Sequence, residues 1–328
     1  MSTLDRPLMT ASFRVLLAFL SLAGRLPLRV LHAAGSVLGL GLWLVRGRER
    51  RVTEVNLRLL KTCNGARTGQ RTRHDETLPD VLGRLDARRV LGETGKSVTE
   101  IAKIWCGDPR RALALVREVQ GQDLFDAALA AGRGLIVAAP HLGCWELLNY
   151  WLAARTPLAI VYRPPRNAEV EPFLRAARGA VEVEQVRAEG AGVRTLYRRL
   201  AAGGVVGILP DQQPKQGEGE FAPFFGIEAS TMVLVPRLAE RTGATVLFAF
   251  AERLPRGAGF RIHLLPAPAG IADTDLRVAC TALNRGVEDC VRLAPEQYQW
   301  HYKRYSKRPP GERNPYKRNG EAAPPTDA

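Results

Sequence analysis

Cysteine is scarce in this chain and scattered along it. The five cysteines, Cys63, Cys106, Cys144, Cys280 and Cys290, form no Cys-x-x-Cys pair and no ligand-like grouping with histidine. That argues against a disulfide framework or a zinc site and fits a reducing compartment. No Gly-rich phosphate loop occurs, neither Gly-x4-Gly-Lys-Ser/Thr nor a Gly-x-Gly-x-x-Gly in context, so no nucleotide cofactor is indicated. Internal repeats are also missing, which excludes a solenoid. The N-terminal apolar runs fall short of the roughly 20 residues that cross a bilayer. Val15–Gly24 and Val30–Val45 carry no charge, but Arg25 and Arg29 stand between them.

The chain does have the material for a core, with 328 residues, 46% hydrophobic and 24% charged. Its net charge is +14 and its pI about 10.1. Such an excess calls for a polyanionic partner: nucleic acid, an anionic membrane surface or an acidic protein. Its placement favours the membrane, because Arg46, Arg48, Arg50 and Arg51 directly follow the apolar segment. No helix-turn-helix, ribonucleoprotein or zinc pattern supports nucleic-acid binding. Residues 1–46 therefore read as a membrane anchor, with Arg29 snorkelling to make up a span, or alternatively as a buried helix pair. If the segment spans, the arginines after Val45 put the following body in the cytosol.

The body, residues 47–305, opens with helical spacing at Val52–Leu60 and Leu82–Trp105, separated by a polar loop over Cys63–Pro79. Strand-length apolar runs then follow at Leu135–Ala139, Leu158–Val161, Val205–Leu209 and Thr245–Phe250, with alternation at Phe260–Leu265. Between them lie helix-like pieces at Trp145–Ala154, Val170–Arg178, Val193–Ala202 and Val233–Arg241. Strand and helix in turn predict an α/β fold with a central, mostly parallel sheet flanked by helices. Residues 306–328 are rich in proline and charge and read as a disordered or surface tail.

The sharpest local feature is His141-Leu-Gly-Cys-Trp-Glu146, immediately after the run Leu135–Ala139 and Pro140. Ligands of open α/β sheets bind beyond the carboxyl ends of the strands. A five-residue spacing puts His141 and Glu146 about 140° apart on a continuous helix, so only a strand–turn–helix would bring them together. Gly143 permits such a bend. A carboxylate on one imidazole nitrogen leaves the other free to take a proton from a hydroxyl, so His141 is the candidate general base and Glu146 its orienting partner. Cys144 reads as a half-buried structural thiol rather than a nucleophile.

This motif, after a strand in a basic chain with a lipid-seeking start, resembles the lysophospholipid acyltransferase superfamily. Further segments narrow the resemblance to the lipid A late acyltransferases. They are Asn56-Leu57, Tyr162-Arg163-Pro164 with Asn167, Asp211-Gln212, Phe224-Phe225-Gly226 with Ser230-Thr231, Leu238-Ala239 with Thr242-Gly243, and Pro295-Glu-Gln-Tyr-Gln-Trp300 followed by Lys303-Arg304. They occur in the family's order from about residue 50 to 305. The link Cys63–Asp80 is longer than the family's and lacks its usual Phe-Pro. The resemblance implies direct acyl transfer from acyl carrier protein to a Kdo-bearing, anionic lipid A precursor at the cytoplasmic face of the inner membrane, without metal or other cofactor. Acyl carrier protein is acidic, which suits the basic balance. It also implies substrate-binding roles for Arg163, Asn167, Arg178, Asp211 and Gln212. Arg163 can equally be a surface ion pair and Asp211 a helix cap. Another lipid acceptor, such as a lysophospholipid, an ornithine lipid or a glycolipid, is the alternative.

Overall fold

The computed structural model describes residues 18–65, 83–162, 171, 178, 181, 183–187, 189–215 and 217–317. Its centre is a seven-stranded sheet. In chain order the strands are β1 Val116–Gln120, β2 Leu135–Ala138, β3 Leu158–Tyr162, β4 Glu184–Arg187, β5 Val205–Ile208, β8 Thr245–Arg253 and β9 Phe260–Pro266, and across the sheet they run β1-β9-β8-β2-β5-β3-β4. All pairings are parallel except β8 with β9. A separate antiparallel hairpin is made by β6 Gly219–Phe224 and β7 Ile227–Met232.

The described helices are α1 Leu28–Leu44, α2 Arg48–Gly65, α3 Ala87–Trp105, α4 Pro109–Leu113, α5 Gln122–Ala130, α6 Trp145–Ala153, α7 Ala191–Ala201, α8 Leu234–Thr242 and α9 Leu276–Leu293. They cover both faces of the sheet. Alternate residues of one strand enter different cores: Ile136 and Ala138 pack with α7, α8 and α9, whereas Leu135 and Val137 pack with α5 and α6. A strand buried on both faces needs apolar residues throughout, which is why the central strands read as continuous apolar runs. The expected α/β architecture is thus present. The edge strands β1 and β4 are only partly buried and carry charge, and they left no such run in the sequence. The β6–β7 hairpin turns on Phe225 and Gly226, both at positive φ as a two-residue type I′ turn requires. Phe225 holds this conformation while its N–H donates to the buried Glu288 of α9.

The N-terminal apolar stretch lies against the body along α3. Gly35, Gly39 and Gly95 let the two helix backbones touch: a Cβ at Gly95 would sit 1.9 Å from the Gly35 carbonyl oxygen. Gly95→Ala is accordingly expected to push the helices apart and cost about 1–3 kcal/mol by overpacking, read as a lowered denaturation midpoint. No single described helix is long and apolar enough to cross a membrane; α1 together with Arg48–Thr62 passes that test only as a pair bent by 83°.

Part of the segment expected as a disordered or surface tail, residues 306–317, is described. These residues lie on the body. Ser306 Oγ donates to Gln213 (3.0 Å), the Tyr316 hydroxyl accepts the Tyr305 N–H (3.2 Å) and itself donates to Asn56 Oδ1. Proline and charge in this stretch serve a strap with its own side-chain anchors, which composition alone does not distinguish from a free tail.

Candidate active site

Strands β2 and β5 are neighbours, with Ala138 paired to Ile208. Three residues beyond each of these positions stand His141 and Asp211, so parallel register brings them to one point at the carboxyl edge. Asp211 grips His141 twice. The His141 ring Nδ1 lies 2.8 Å from Asp211 Oδ1, and the His141 backbone N–H donates to Oδ2 at 2.9 Å. Asp211 is buried, which works to raise its carboxyl pKa, but the His141 charge and these hydrogen bonds outweigh burial and hold it below the ordinary range. The carboxylate therefore fixes Nδ1 as the protonated nitrogen and leaves Nε2 with the lone pair.

The expected partner Glu146 is placed differently. It sits in the first turn of α6, buried, where a helix N-terminus favours a carboxylate. Its oxygens are taken by Arg178, whose Nη2 donates at 2.6 Å and Nε at 3.3 Å. The reason is the turn between strand and helix. Gly143 adopts φ +61°, and its backbone is so close to Ala251 that a Cβ would lie 2.0 Å from the carbonyl oxygen. This tight turn directs the imidazole toward β5, whereas the first turn of α6 presents Glu146 to Arg178. The orienting carboxylate of His141 is thus Asp211, and Glu146 instead fixes an arginine.

The turn itself is held by the segment around Pro295–Trp300. Leu142 and Tyr298 form an antiparallel bridge, the Gln299 N–H donates to His141 O (3.1 Å), and the Gly143 N–H donates to Gln297 O (3.3 Å). The motif read as a family signature is therefore a backbone clamp on the turn that carries His141. Asn56 in turn holds this segment, donating to the carbonyls of Trp300 (2.6 Å) and Tyr302 (2.9 Å). Arg304 donates to Ser230 O (2.6 Å) and Thr231 Oγ1 (3.0 Å), securing the hairpin.

His141, Arg178 and Gln212 line a cleft of about 530 Å³. Its floor is apolar, with Ile160, Val161, Ile208, Leu209 and Met232, and its lining includes the cationic groups Arg178, Lys215, Arg237 and Arg241. Gln212 Nε2 lies 3.2 Å from His141 Nε2 and 3.2 Å from Gln299 Oε1. Trp145 packs its ring at 5.2 Å from the imidazole. Neither Gln299 nor Trp145 was singled out from the sequence as a site residue, although both lie inside motifs that were. Arg163 and Asn167 lie outside the described residues. Cys144 is buried, and burial pushes its thiol pKa well up, the opposite of the shift that activates a nucleophilic cysteine. Among the described residues no group of three or more His, Cys, Asp or Glu is placed to hold a metal ion.

A His–Asp pair at the sheet's carboxyl edge, on a cleft with apolar lining and an arginine fixed by Glu146, is an arrangement that suits acyl transfer. Sequence comparison agrees: the model of the bacterial lipid A biosynthesis acyltransferases matches residues 87–307, and the chain belongs to that family. It is 28% identical to the lipid A biosynthesis lauroyltransferase of Escherichia coli K12 over 218 residues, 66% of this chain and 70% of that relative. The lipid A biosynthesis palmitoleoyltransferase of the same organism is 29% identical over 200 residues, 61% of this chain and 64% of its own length. A phosphatidylinositol mannoside acyltransferase of Mycobacterium tuberculosis is 31% identical over 168 residues, covering 46% of this chain and 49% of the relative. The protein is an acyltransferase.

Proposed function

We propose that this enzyme moves a fatty acyl group from the thioester of acyl carrier protein to a hydroxyl of a lipid A precursor. The observation that carries the mechanism is the Asp211–His141 pair with its free-electron nitrogen turned to the cleft. His141 Nε2 takes the acceptor hydroxyl's proton as the oxygen attacks the thioester carbonyl. The imidazolium, stabilised by Asp211, returns that proton to the departing thiol. No acyl-enzyme is needed. Arg178, held by Glu146 on the cleft wall, supplies a fixed cation for an anionic acceptor, and the apolar floor accommodates alkyl chain.

Association with the cytoplasmic face of the inner membrane is part of this reading, and α1 and its flanks support contact with a lipid surface. Leu26, Val30, Val37, Leu38, Leu44 and Val45 are exposed, next to the basic cluster Arg46–Arg51. An apolar face edged by cations suits an anionic lipid surface. The similarity to a phosphatidylinositol mannoside acyltransferase favours, as a second reading, an acceptor built on another glycolipid. Purified enzyme offered several acyl-carrier thioesters with either a Kdo-bearing lipid A precursor or a mannosylated phosphatidylinositol, read by mass spectrometry, separates the two. Acylated lipid A precursor is the expected product. Acylation of the mannoside alone establishes the second reading, and thioester hydrolysis with neither acceptor acylated overturns both.

A further inference from the structure

The lone pair of the general base is engaged by the protein itself. With Nδ1–H committed to Asp211, His141 Nε2 is an acceptor, and the polar atom facing it is the amide nitrogen of Gln212 at 3.2 Å. The same nitrogen faces Gln299 Oε1 at 3.2 Å. An amide NH₂ has two hydrogens, and here they meet two acceptors; the flipped carboxamide would set oxygen against a lone pair at both contacts. Gln299 is itself tied to the turn through its N–H to His141 O. Gln212 lines the main cleft, whereas Gln299 lines a second cavity of about 150 Å³ that His141 and Trp145 share. The amide pair thus stands in the wall beside the reactive nitrogen and is aimed from behind.

A neutral hydrogen bond of this kind is weak, on the order of 1 kcal/mol net, so an incoming hydroxyl displaces it at little cost. Once the hydroxyl proton occupies Nε2, the Gln212 N–H is released within hydrogen-bond reach of the reacting oxygens. A donor already oriented there is what a developing oxyanion requires.

We propose that Gln212 is a catalytic residue: its amide caps His141 Nε2 between turnovers and then donates to the oxyanion of the tetrahedral intermediate, with Gln299 as the positioning residue that aims it. The inference rests on His141 being the general base. In the step, the hydroxyl O–H breaks, its proton goes to Nε2 and its oxygen bonds the acyl carbon. The carbonyl π pair moves onto oxygen, where Gln212 holds it. Collapse re-forms the carbonyl, the C–S bond breaks, and the thiolate takes the proton from the imidazolium.

Two experiments on the full chain test this. In the first, Gln212→Met and Gln299→Met are assayed on the thioester and lipid pair that wild type turns over fastest. Gln212→Met should lower kcat about 10²–10³-fold, as for loss of one oxyanion donor, with both KM values within about threefold of wild type. Gln299→Met should lose less, and Gln212→Glu should move the acidic limb of the kcat profile to higher pH, because a carboxylate at Nε2 stabilises the imidazolium. A kcat within threefold of wild type for Gln212→Met, or a change confined to KM, overturns the proposal. The second experiment needs no substrate: diethyl pyrocarbonate labels unprotonated imidazole, and the His141 peptide is followed by mass spectrometry. Uncapping in Gln212→Met should speed labelling several-fold, and an unchanged rate refutes the cap. If His141→Ala is inactive while Gln212→Met is normal, the present inference fails alone; an active His141→Ala ends the general-base reading as well.

Discussion

His141→Ala is expected to cost about 10²–10⁴ in kcat, the usual contribution of general acid–base assistance, or about 3–5 kcal/mol of barrier. Asp211→Asn should cost about as much. Asp211 accepts two hydrogen bonds from His141, one from the ring and one from the backbone. An asparagine can accept only one of them and presents an NH₂ to the other, which disfavours the tautomer with Nε2 free. Because the two residues act as one unit, the double variant should be scarcely slower than either single one. Glu146→Ala is the contrast. It releases Arg178 rather than His141, so its loss should fall mainly on KM for the anionic acceptor and should add to that of Asp211→Asn. Steady-state kinetics of the three single variants and their three pairwise doubles decide the matter: multiplicative losses for His141 with Asp211, and a shared loss for His141 with Glu146, would return the orienting role to Glu146.

The largest stability effect is expected at Arg253, at the end of β8. Its side chain is 2% exposed and donates to Glu100 Oε1 (2.6 Å), Ser97 Oγ (2.6 Å) and Gly143 O (2.9 Å). Glu100 is equally buried and also meets His32 of α1 at 2.7 Å. Burial works to raise the Glu100 carboxyl pKa, but the Arg253 charge and the hydrogen bonds from His32 and Arg253 hold it below the ordinary range, so the pair is ionised. Arg253→Met leaves that carboxylate without its main counter-charge and should destabilise the fold by about 3–5 kcal/mol, a large part of a typical 5–15 kcal/mol total. The sign of its pH dependence follows. Without Arg253 the folded-state pKa of Glu100 rises, so the loss is greatest at neutral pH and shrinks as pH falls through the raised value. Adding Glu100→Gln removes the stranded charge and should recover most of the loss. Denaturant midpoints across pH measure both; a loss below about 1 kcal/mol, or one that grows on acidification, contradicts the buried-pair account. Through Gly143 O the same arginine also braces the turn that carries His141, so on the proposed mechanism kcat should fall in the variant even where it remains folded.

Part of this protein was legible in its residues alone. Runs such as Leu135–Ala139 and Val205–Leu209 announced central parallel strands, because a strand covered on both faces must be apolar at every position. His141, Gly143 and Asp211 were visible as residues at strand ends, since local order of strand, turn and helix is a short-range property. The family followed from motifs in order along the chain. The partnership inside the site was not legible in this way. His141 and Glu146 are five residues apart and Asp211 is seventy away from His141, yet the distant carboxylate is the one that bonds the imidazole. That choice was made by the register of β2 with β5, which carries both strand ends to one point, and by a glycine turn that faces α6 the other way. The same holds for the N-terminal helix, whose composition reads as a membrane anchor, with a buried helix pair as the alternative. Its backbone contact with α3 at Gly35, Gly39 and Gly95 is a packing fact that composition does not reveal. Composition and periodicity report what each segment must bury; which side chains then meet depends on strand register and helix packing, and those are set by contacts between residues far apart in the chain.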